Sequence, residues 1–115
     1  MNTQGKFVAT WVESAAQNDG EAPVAIRAGV AGQRHFVTSV SVSASDAPAS
    51  PLEVFVESDT LLDEFYVPAA QFAPLIINYN APLQCGIGEN VQISATTAGV
   101  GVTCSVVIRG FTLFQ

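Results

Sequence analysis

Histidine occurs once in the chain, at position 35, and it is the side chain best suited to moving a proton near neutral pH. Residues 35–44 alternate as a strand. In that reading Phe36, Val40, Val42 and Ala44 share one face with Thr38, while His35 falls on the face lined by Ser39, Ser41 and Ser43. A catalytic triad needs such a histidine oriented by an acid and facing a nucleophile, and the sequence has no GxSxG-like nucleophile elbow. Without a second histidine, His35 cannot build a His-rich metal site either.

Carboxylates are the next candidates, because Glu53, Glu57, Asp59, Asp63 and Glu64 crowd one short stretch. Paired carboxylates can perform acid–base hydrolysis or hold calcium. Their spacing matches no EF-hand loop, and on alternating strands such acids more often form a solvated face. Gly86 and Gly88 spell a GxG, but the third glycine and the βαβ context of a nucleotide-binding turn are missing. Cys85 and Cys104 read as buried thiols; if oxidised, they would close a loop of about 20 residues. These residues predict no catalytic site, no metal and no cofactor. Phe55 is more informative: flanked by Glu53 and Glu57, it is an aromatic within an acidic rim, the makeup of an interface anchor.

The elements that must carry these residues are strands. No segment has a 3.6-residue apolar period, whereas alternation with period two recurs throughout. Leu52, Val54 and Val56 alternate with Glu53, Phe55 and Glu57, and Ser58–Thr60 turns this strand into a hairpin with 61–67. The proline-bearing stretch 45–51 is a loop. An apolar run over 73–79 ends at the break 80–82, and 91–95 alternates again. The glycines of 97–102 predict a hairpin into a last strand over 103–113. That strand is apolar on both faces: Val102, Cys104, Val106 and Ile108 on one, Val107, Phe111 and Leu113 on the other. With Phe114 beside it, this patch implies a covered face or an interface between copies.

Eight short strands separated by turn signals predict one all-β domain, a β-sandwich of jelly-roll type. The length of 115 residues leaves room for one core only. Residues 1–22 are polar and turn-rich in their middle and predict an extended N-terminal arm on a sandwich spanning 23–115. Phe7 and Trp11, on one side of an extended chain, could anchor the arm on a neighbour; the alternative is an ordinary first strand.

Hydrophobic residues make up 49% of the chain and charged residues 12%, against roughly 25% charged in ordinary soluble domains. So weakly charged a surface suits a protein that spends its life in subunit contacts. Ten acids against Lys6, Arg27, Arg34 and Arg109 give a net charge of -6, which argues against nucleic acid as a partner. No apolar, charge-free run reaches the roughly 18 residues of a membrane span, and the first twenty residues lack a signal-peptide core. Synthesis in a cytoplasm and no membrane partner are the expectation.

The segments GQRHFVTSVSVSAS (32–45) and ENVQISATTAGVGVTCSVVIRGFTL (89–113) resemble small structural proteins of tailed bacteriophages. In those proteins a strand of the form G-x-R-x-ø-V-T opens the domain, and an A-T-T-A-G-V-x-G-x-V-x-ø-x-G-F/Y-T segment closes it. The matching residues here are Gly32, Arg34, Phe36, Val37 and Thr38, then Gly99, Gly101, Val107, Gly110, Phe111 and Thr112. The resemblance implies a β-sandwich virion protein, typically a capsid decoration (cement) protein on the capsid surface, often a homotrimer, with the major capsid protein and itself as partners. Head-fibre, tail and glycan-binding modules contacting the host are the alternative. Phe7, Trp11, Phe55, Val107, Phe111, Leu113 and Phe114 are the interface candidates.

Overall fold

In the computed structural model, which describes residues 6–17, 21–69, 73–96 and 98–114, every regular element is a strand. In chain order these are β1 (Lys6–Gln17), β2 (Val24–Arg27), β3 (Gln33–Ala44), β4 (Leu52–Glu57), β5 (Leu61–Val67), β6 (Leu75–Gln84), β7 (Val91–Ala95) and β8 (Cys104–Phe114). They form two four-stranded sheets, ordered β1-β8-β3-β6 and β2-β7-β4-β5, and every pairing is antiparallel. Successive strands alternate between sheets except at the β4–β5 hairpin, which is the jelly-roll order.

The core follows from β-branched residues at every second position. Val37, Val40, Val42, Val106 and Ile108 of one sheet meet Leu52, Val54, Val56, Val91 and Ile93 of the other, all at most 1% exposed. All of these but Leu52 are β-branched, stiff at χ1 and well packed on a pleated surface. The β4–β5 hairpin stands where it was expected, closed by Ser58 N donating to Thr60 O at 2.9 Å.

Several local expectations are corrected by the register. Strand β3 slips by one residue between Val37 and Ser39, so Thr38 is a bulge and the faces exchange there. His35 and Val37 point into the core with Val40 and Val42, while Phe36 joins Ser39, Ser41 and Ser43 on the outer face. Strand β6 runs on to Gln84: Val37 pairs with Leu83 and Ser39 with Asn78, so residues 79–82, with Pro82, bulge opposite Thr38. An edge strand tolerates this because its outer N–H row has no ladder to lose. Residue 97 is outside the described residues, and the hairpin expected over 97–102 does not join β7 to β8, which lie in different sheets. Gly99 and Gly101, with φ of 109° and 78°, let the chain cross between them.

Most of the expected arm is β1, paired with β8 from Lys6 to Gln17. Trp11 is 5% exposed and part of the core. Of the rest of the arm, residues 21–22 have no regular structure, and 1–5 and 18–20 lie outside the described residues.

Candidate interaction surface

Inside the sandwich, the chemistry that His35 could offer is taken up by structure. Trp11 Nε1 donates to Thr112 Oγ1 at 3.0 Å. The Ala28 carbonyl can only accept, so His35 Nε2, 2.7 Å away, carries the hydrogen and donates to it. That leaves His35 Nδ1 as the acceptor of the Thr112 hydroxyl at 2.6 Å. Every polar atom of this buried chain is used, and it ties the β2–β3 connection to β3, β8 and β1. Gly110 makes room for it: a Cβ there would strike the Trp11 ring. At the same sandwich edge Arg27 bonds Glu13 at 3.1 Å and lies 5.7 Å from the Trp11 ring centroid.

The acids separate into pairs with different surroundings. Tyr79 donates to Asp63 Oδ2 at 2.6 Å, and burial followed by this bond pushes the Tyr79 phenol far up. Asp59 lies beside Glu89, whose charge raises it; Glu89 is held down by the Ser58 hydroxyl and the Gly86 amide. Glu64 is raised by its hydrogen bond to Glu53, and Tyr66 donates to Glu53 Oε1 at 3.2 Å. Among the described residues no three His, Cys, Asp or Glu side chains gather as a metal site would require.

The cysteines are far apart. Cys85 N donates to His35 O near one end of β3, and Cys104 pairs with Ala44 at the other, a separation of about 30 Å at the rise of a strand. Both are buried free thiols, and burial raises both, Cys85 to about 11.

What remains available for recognition is the pair of outer sheet faces. On the β1-β8-β3-β6 face the register sets Phe7 beside Leu113 and Arg34, then Thr10 beside Phe111, Phe36 and Gln84, then Val12 beside Arg109, Ser39 and Asn78. Phe36 and Phe111 stack, with centroids 4.9 Å apart and planes inclined by 10°. On the β2-β7-β4-β5 face Glu53 stands beside Tyr66, Phe55 beside Ser94, Val24 and Glu64, and Glu57 beside Gln92 and Ile26. Tyr66, Val24 and Ile26 are exposed.

Of the expected interface residues, Phe7, Val107, Phe111 and Leu113 therefore share one outer face. Phe114 is exposed at the end of β8, and Phe55 is half-buried on the opposite face. Trp11 is corrected to a core residue, since the indole needs both the Gly110 gap and the Thr112 acceptor. Sequence reasoning missed Phe36, Arg34 and Arg109 as surface partners. The signal for Phe36 was present: apolar residues at 37 and 40, three apart, can share a face only across an inserted residue.

No family model matches the sequence, and no curated protein matches it. Among solved structures, the chain is similar to the CBM36-1 domain of a multidomain xylanase from the hindgut metagenome of Trinervitermes trinervoides, at 9% identity and a TM-score of 0.48, covering 90% of this chain and 96% of that one. It is also similar to the C-terminal CBM6 of LamC, a marine laminarinase from Zobellia galactanivorans, at 10% identity and a TM-score of 0.49, covering 89% and 99%. At such identities and scores neither likeness bears on what this chain binds.

Proposed function

We propose that the chain is a structural protein of a virion, a capsid decoration (cement) protein that binds the finished shell and stabilises it. The observation that supports this best is that both outer faces have aromatic centres, Phe36 with Phe111 on one and Phe55 with Tyr66 on the other. A solvated face of an antiparallel sheet is ordinarily polar, so aromatic centres on both outer faces favour contact with protein. The motif resemblance around Gly32–Thr38 and Gly99–Thr112 supplies the virion context. A protein that binds several shell subunits at once adds binding free energy only to the closed state.

A second reading, a glycan-binding module, is favoured by Tyr66, an exposed ring 61% accessible with Glu53 and Glu64 beside it. Two assays separate the readings. On the first, the chain added to particles lacking it pellets with them and binds nothing on a glycan array. Glycan binding abolished by Tyr66→Ala, with no pelleting, would replace it with the second.

A further inference from the structure

Sorting the charged strand residues by the direction they face separates them by sign. The outer face of the β1-β8-β3-β6 sheet carries Arg34 and Arg109 and, among the described residues, no acid, because Glu13 of β1 turns inward to Arg27. The outer face of the β2-β7-β4-β5 sheet carries Glu53, Glu57 and Glu64 and no cation, because Arg27 turns inward. Arg27 with Glu13 is the ion pair found among the described residues. Arg34 and Arg109 are thus cations without a carboxylate there, and Arg34 Nε is buried with no hydrogen-bond partner.

The spacing of the two faces also corresponds. Arg34 stands in the row of Leu113 and Arg109 lies four residues back along β8, about 13 Å away, with the Phe36–Phe111 stack in the row between them. Glu53 and Glu57 are likewise four residues apart along β4, about 13 Å, with Phe55 midway. One face reads cation, aromatic, cation, and the other acid, aromatic, acid, at one pitch.

We propose that the Arg34–Phe36/Phe111–Arg109 face of one copy packs against the Glu53–Phe55–Glu57 face of a second copy of this chain. Each arginine then meets a carboxylate while the aromatic centres bury one another, the arrangement of a desolvated core within a charged rim. Arriving cations would also relieve the crowding of Glu53 and Glu64, visible in the raised Glu64 carboxyl. Because the two surfaces differ and lie on opposite faces of the sandwich, the contact is heterologous and adds copies in a row. The inference stands on the two faces and not on the role proposed above; particle binding tests that role, and association of the pure chain tests this contact.

The experiment is sedimentation velocity on the full chain and two charge-reversed variants. One carries Arg34→Glu with Arg109→Glu, the other Glu53→Lys with Glu57→Lys. Wild-type chain is expected to associate, at least tenfold more weakly in 500 mM than in 50 mM salt. Each variant alone stays monomeric, and mixing the two in equal amounts restores association, since each then offers the face the other needs. Should a reversal fail to fold by circular dichroism, the neutral pairs Arg34→Gln with Arg109→Gln and Glu53→Gln with Glu57→Gln take its place, each weakening wild-type association at least tenfold. A monomeric wild type, a variant that associates as wild type does, or a mixture of folded variants that stays monomeric would overturn the proposal.

Discussion

Thr112 is the residue on which the interior turns, because its single hydroxyl both accepts from Trp11 and donates to His35. Thr112→Val keeps the shape and strands two buried polar atoms, the Trp11 N–H and His35 Nδ1. Each such orphan costs about 1–3 kcal/mol, so the variant should lose about 3 kcal/mol, read as a fall of roughly 10 °C in melting temperature for a domain of this size. Thr112→Ser keeps the hydroxyl and should lose only about 1 kcal/mol, the worth of one buried methyl group. A valine variant that melts with wild type would mean that the Trp11–Thr112–His35–Ala28 chain does not hold the sheets as described. The G-F-T run at the end of the chain gains its meaning here: Gly110 admits the indole, Phe111 stacks on Phe36 from outside, and Thr112 closes the buried chain from inside.

At the scale of elements, β1 carries the clearest consequence. It supplies Trp11 to the core and covers one edge of β8 along its length, so it belongs to the folding unit. Removing residues 1–17 would expose the β8 ladder and leave a cavity where Trp11 sits; truncating a buried Trp alone costs about 3–5 kcal/mol. The truncated chain should show no cooperative urea transition by circular dichroism, and a truncated chain that unfolds cooperatively near the wild-type midpoint would return this segment to the status of a docking arm. The jelly-roll class and the β4–β5 hairpin were legible because alternation and turn residues are local signals. What escaped was non-local. Thr38 forms a bulge only because β8 and β6 fix its neighbours in register, and from that one residue follows the exchange that sends His35 inward and Phe36 outward. Trp11 looked like a surface anchor because its two partners, Gly110 and Thr112, lie about a hundred positions away in the sequence. The candidate faces were half legible: Phe55 between two acids and the two-sided β8 show in the sequence, whereas the segregation of charge by face needs both sheets to be assembled.

At the scale of the whole molecule, the sandwich is a slab with its histidine and tryptophan locked inside and its aromatic and charged contact groups on two opposite faces. On the proposed cement role it acts by adding contacts to a shell that has already closed. On that proposal its effect belongs in the durability of the particle and not in its construction. The most direct measurement compares the temperature at which particles with and without this protein release their DNA. Particles lacking it should assemble at normal size and release DNA at lower temperature, and adding the purified chain back should restore the higher value. Equal release temperatures in both, with the added chain bound, would contradict the stabilising role and leave a contact module with another task.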